Sequence, residues 1–127
     1  MKTIVKLIFA SMLMIVAAPA YAGQAVQVFV CQINEDVTEA VLIQRASEWL
    51  KAAKTVKGGE NLKASLHDPV AAEMGQNDVL FVIVAPSLTE WGTFWDNYRG
   101  SAADKLDKDN DDVVCPKSRL FESVVIE

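Results

Sequence analysis

Two cysteines, one histidine, a run of spaced aspartates and a cluster of aromatics are the side chains here with chemistry to offer. Cys31 and Cys115 form an even pair, which in an oxidising compartment favours a disulfide. A redox-active dithiol would want a C-x-x-C spacing or a helix N-terminus to depress a thiol pKa, and neither cysteine has one. His67 is the only histidine. Without a cysteine or second histidine at ligand spacing it makes no zinc site, but it can serve as a hydrogen-bonding or acid–base group. Asp107, Asp109 and Asp111 alternate in the manner of a calcium loop. An EF-hand needs Gly at its sixth position and Glu at its twelfth; here those places hold Asp112 and Ser118. The segment therefore reads as a solvated acidic loop, and no metal is expected. Trp91, Phe94, Trp95 and Tyr98 are explained most simply by a helix packing on a sheet; a ligand site involving Trp91 and Trp95 is the sharper alternative. No Gly-rich phosphate loop and no G-x-S-x-G elbow occurs, so no cofactor is expected and no residue is assigned a catalytic role.

The cysteine reading depends on export, and the start of the chain supports it. Lys2 and Lys6 give a basic head, Leu7 to Ala18 is an apolar run broken only by Ser11, and Ala20-Tyr21-Ala22 is an A-x-A cleavage site. Residues 1–22 thus read as a signal peptide, with the mature chain beginning at Gly23 in the periplasm or outside the cell. The full chain has 12 basic and 17 acidic residues, a net charge of −5. Loss of the two signal lysines makes the mature chain more acidic still. Such a chain repels phosphate, which argues against nucleic acid and, after cleavage, against an anionic membrane as partners. The remainder is one small domain.

Stepping along that domain, Ala25 to Ile33 reads as a strand with Val26, Val28 and Val30 on one face and Phe29, Cys31 and Ile33 on the other. Asp36 to Glu39 has capping-box spacing, with Asp36 as cap. A helix to about Val56 follows, its apolar stripe made by Leu42, Ala46, Trp49, Leu50 and Ala53. Gly58-Gly59 ends it. Leu62 to His67 is a short strand, which Pro69 either makes an edge strand or ends. Val79 to Ala85 is a β-branched apolar run suited to a doubly covered strand. Pro86 stops it, and Ser87 to Glu90 is a second capping box, opening a helix whose face carries Leu88, Trp91, Trp95 and Tyr98. Gly100 suits a left-handed cap. Ser101 to Asp112 predicts one turn and then loop, and Ser118 to Ile126 a last strand.

The element order β-α-β-β-α-β is the split βαβ, ferredoxin-like plan. Within it, the run Phe81 to Trp95, containing VAPSLTEWGTFW, resembles the third strand and second helix of dimeric α/β-barrel proteins, the group related to antibiotic-biosynthesis monooxygenases. That resemblance implies an α+β fold of four antiparallel strands in the order 4-1-3-2, with two helices on one face. It also implies that the first and last strands are neighbours, which brings Cys31 near Cys115. Members of the group include oxygenases, haem-binding enzymes and proteins without an assigned reaction.

Two helices cover one face of four strands, yet the first and third strands are apolar on both. A two-fold homodimer packed sheet on sheet is the expected solution. Ser65 and His67 then face the dimer interior, and Glu122 is expected there too, so that His67 of one copy approaches Glu122 of the other as a polar feature in an apolar cavity. The functional expectation is an exported domain that binds a small apolar ligand or a protein partner. The alternatives are a cofactor-independent oxygenase-like enzyme of the same group and a structural envelope protein.

Overall fold

The computed structural model describes residues 23–70, 74–75 and 77–126. Residues 1–22, the expected signal peptide, lie outside the described residues. Seven elements follow in order: β1 (Gln24–Ile33), α1 (Glu39–Ala53), β2 (Lys63–His67), β3 (Asp78–Ala85), α2 (Leu88–Tyr98), α3 (Ala102–Lys108) and β4 (Val113–Ser123). The fold is α+β. Its four strands form one antiparallel sheet in the order β2-β3-β1-β4, which is 4-1-3-2 counted from the β4 edge. No described helix is long and apolar enough to cross a membrane.

Local chemistry explains most boundaries. Ser87 caps α2, its hydroxyl accepting the Glu90 N–H at 3.1 Å and lying 3.3 Å from the Glu90 carboxylate. Gly100 takes φ +80°, and the chain turns there into α3. The cap of α1 is Thr38 rather than Asp36, with the Val41 N–H facing its hydroxyl. Asp36 is consumed in the preceding turn, which the Val37 N–H closes onto the Asn34 carbonyl. After Ala53 the helix gives way to turns, in which Thr55 and Val56 donate to carbonyls three residues back. Helix α3 is fuller than the single turn expected. Ser101 caps it, and the Asp104 carboxylate accepts both the Gly100 N–H and the Lys108 ammonium at 2.7 Å.

The last strand departs most from expectation. It begins at Val113, not Ser118, so Cys115 lies within it, and Pro116 is tolerated because this is an edge strand. Pairing with β1 shifts register between Val30 and Gln32. The register also assigns the two faces of the sheet. Ala25, Gln27, Phe29 and Cys31 of β1 lie beside Ala85, Ile83, Phe81 and Val79 of β3; Val26, Val28 and Val30 lie beside Val84, Val82 and Leu80. From β4, Leu120 and Glu122 pair with Gln27 and Ala25, and Arg119 and Phe121 with Val28 and Val26. Glu122 is therefore on the Phe29 face, opposite to the expectation, and Phe121 takes the Val28 face. Nearly all of β4 is exposed on both sides, so no burial pattern in its own sequence could fix which face each residue takes.

Side chains of the Phe29 face form two buried clusters. Ala25, Ile83 and Ala85 join Ala53, Val56, Leu62, Phe94 and Ala103. Cys31 and Val79 join Leu42 alone. The disulfide Cys31–Cys115 closes the second cluster and ties β1 to β4.

Candidate functional site

Helix α1 approaches the Phe29 face through Trp49, whose ring meets Phe81 edge-on at 5.4 Å between centroids. Helix α2 approaches through Trp91 and Trp95. Both indole N–H groups donate to the side-chain oxygen of Gln27 at 2.9 Å, which uses both lone pairs of that one acceptor. Gln27 is thus a polar break in an apolar face that exists to seat two indoles. Trp49 donates its own N–H to the Tyr98 hydroxyl at 3.0 Å. Burial pushes the Tyr98 phenol up to about 12; the Trp49 hydrogen bond opposes this, and the charges of Asp107 and Asp104 add to it.

Beside these rings lies a cavity of ≈ 670 Å³. Its floor is Phe29, Phe81, Val79 and the disulfide; Trp49, Trp95 and Tyr98 form one wall. Residues 41–49 of α1 and 106–113, running from α3 into β4, contribute the rest, with Gln44, Arg45, Glu48, Asp107, Asp109 and Asn110 as its charged and polar members. That volume lies within the ~300–1,000 Å³ usual for small-molecule sites, and an apolar body with a few polar groups is their usual composition.

The acidic loop has a structural task as well as a solvated surface. Arg45 donates to Asn110 Oδ1 at 2.8 Å and pairs with the Asp112 carboxylate. Asn34 receives the same loop at the end of β1: its backbone N–H reaches the Asp112 carbonyl at 3.0 Å and its side-chain amide the Asp111 carbonyl at 3.1 Å. Arg45 thereby holds the loop as a wall of the cavity, which Asp107 and Asp109 both line. Partial burial raises the Asp107 carboxyl above the ordinary carboxylate range, with Asp104 adding to the shift and Lys108 opposing it. Asp104 shifts the other way, held down first by the hydrogen bond from Lys108 and then by that from Gly100.

Of the residues singled out in the sequence, Trp95 lines this cavity, while Trp91 is held to Gln27 beside it. Ser65 and His67 are exposed on the Val28 face of β2, where Ser65 Oγ and His67 Nε2 lie 2.8 Å apart. Glu122 sits on the other face, on the other edge strand. The chain therefore does not bring His67 and Glu122 together. Their packing across a dimer interior also loses its basis, because Glu122 does not face that way. Trp49, Arg45 and Asp107 are the cavity residues that sequence reasoning passed over. A partial signal was Arg45, a cation in the middle of α1, set against the acidic run from Asp107 to Asp112. No protein-family model, curated protein or solved structure matches this chain.

Proposed function

We propose that this chain is an exported, disulfide-stapled domain that binds a small, largely apolar molecule in the cavity over its Phe29 face. The observation that carries this reading is the ≈ 670 Å³ cavity walled by Trp49, Phe81, Trp95 and Tyr98. The disulfide supports residence outside the cytoplasm, since exported chains keep such bonds. The strand order, and the contacts of both Trp49 and Trp95 with that face, support a ferredoxin-like arrangement with α1 and α2 on one side.

The other side supports a homodimer. Val26, Val28, Val30, Leu80, Val82 and Val84 are only partly buried there, and Phe121 is 50% exposed. A contiguous apolar block of this kind marks an association surface. A second copy of the same sheet matches it in shape and polarity, and places it away from the ligand cavity. Saturable quenching of tryptophan fluorescence by phenethyl alcohol or phenethylamine tests the cavity, and no saturable change with either contradicts it. Sedimentation of the wild type and of Val82→Glu tests the dimer: two-chain and one-chain masses are expected, and a monomeric wild type contradicts it.

A further inference from the structure

We propose that the cavity selects an organic cation, a protonated amine carried on an apolar or aromatic body. This deepens the ligand-binding reading and rests on it.

The charges around the cavity are unequal. Glu48, Asp107 and Asp109 line it as carboxylates, and Arg45 is the one cation. The Arg45 charge is already offset, because the guanidinium pairs with the Asp112 carboxylate while also donating to Asn110. Among the described residues neither Asp107 nor Asp109 is paired with a cation. Glu48 accepts only the Gln44 amide at 3.0 Å, a neutral donor. A ligand therefore meets unneutralised negative charge at the polar wall.

The rings supply the second half. An aromatic face carries negative quadrupole density and attracts an ammonium, more strongly where the cation is desolvated. Trp49, Tyr98 and Trp95 stand on the same cavity as Asp107. An ammonium held between the aromatic wall and the Asp107 carboxylate satisfies both at once, while its apolar body lies over Phe29 and Phe81. An anion meets the excess of carboxylates on the lining and unfavourable ring faces. A neutral molecule gains only the apolar contact.

The test is calorimetric titration of the protein at neutral pH with three molecules of matched shape: phenethylamine, phenethyl alcohol and phenylacetate. The amine is expected to bind roughly tenfold more tightly than the alcohol, with phenylacetate weakest. The double variant Asp107→Asn, Glu48→Gln, checked for folding by circular dichroism, should shrink the gap between amine and alcohol to about threefold or less. An alcohol as tight as the amine, or phenylacetate tightest of the three, overturns the cation preference while leaving the cavity as a binding site. Amine preference unchanged in the folded double variant overturns the assignment to these carboxylates. Failure of all three molecules to bind removes the ligand-binding reading itself.

Discussion

The two ends of the sheet are built on different principles. At the Ala25 end, side chains from β1, β3, α1, α2 and α3 close into one buried cluster, with Phe94 fully inaccessible at its centre. The loop after α1 packs so tightly that a Cβ on Gly58 would come within 2.5 Å of the Phe94 backbone nitrogen. At the Cys31 end only Cys31, Leu42 and Val79 are buried together, and the cavity occupies the space beside them. What packing does at one end, cross-links do at the other: the disulfide, the Arg45 contacts with Asn110 and Asp112, and the Asn34 contacts with the loop. A pocket forfeits dispersion contacts along its lining, so an end that carries one needs another source of rigidity.

The largest expected effect comes from cutting the main cross-link. Cys115→Ser, with Cys31→Ser to avoid a stray thiol, opens a loop spanning 84 residues. It should cost about 4–5 kcal/mol in urea unfolding by the chain-entropy model. Hydrogen exchange should speed first at Ile33 and Asn34, and last around Phe94. Equal acceleration at both ends would break the contrast.

Truncation measures the packing difference directly. Phe94→Ala should cost about 3–5 kcal/mol, because its site cannot collapse. Leu42→Ala, beside the cavity, should fall near the low end of the range for buried leucine, about 2–3 kcal/mol. Equal costs would mean that the Cys31 end is packed as tightly as the other. Gly58→Ala should cost about 1–3 kcal/mol, from its φ of +86° and the close backbone of α2.

The smallest effect lies in α3, whose two acids belong to different ends. The folded pKa of Asp104 is lowered, so its stabilisation is present above the unfolded value and is lost as pH falls through the folded one. The folded pKa of Asp107 is raised, so its ionisation destabilises, and that burden lifts as pH falls through the raised value. Stability measured from neutral to acid pH should therefore decline less steeply in Asp104→Asn than in the wild type, and more steeply in Asp107→Asn. Identical profiles for the two variants would remove this distinction.

Where local rules dominate, the sequence was readable. Pro86 and the Ser87 box placed α2, β-branched runs placed β1 and β3, and cysteine parity, taken with the expected signal peptide, pointed to the disulfide. The readings that failed depended on partners. Thr38 displaced Asp36 as cap because a turn had already taken Asp36. The start of β4 was hidden because Val114 to Pro116 is exposed edge, with no alternation to betray it. Glu122 was put on the wrong face for the same reason. The cavity itself could not be read, since residues 41–49 and 106–113 meet only through the fold and the polar pair Arg45 and Asp112 that joins them.

The chain has three tryptophans, and their placement gives the most direct test of the cavity as the binding site. Trp49 and Trp95 line it, while Trp91 does not and serves as the internal control. In a proton–nitrogen correlation spectrum, titration with phenethylamine should move the indole N–H signals of Trp49 and Trp95 saturably, with Trp91 moving least. Signals that do not move, or a Trp91 shift exceeding the other two, would contradict a ligand site over the Phe29 face.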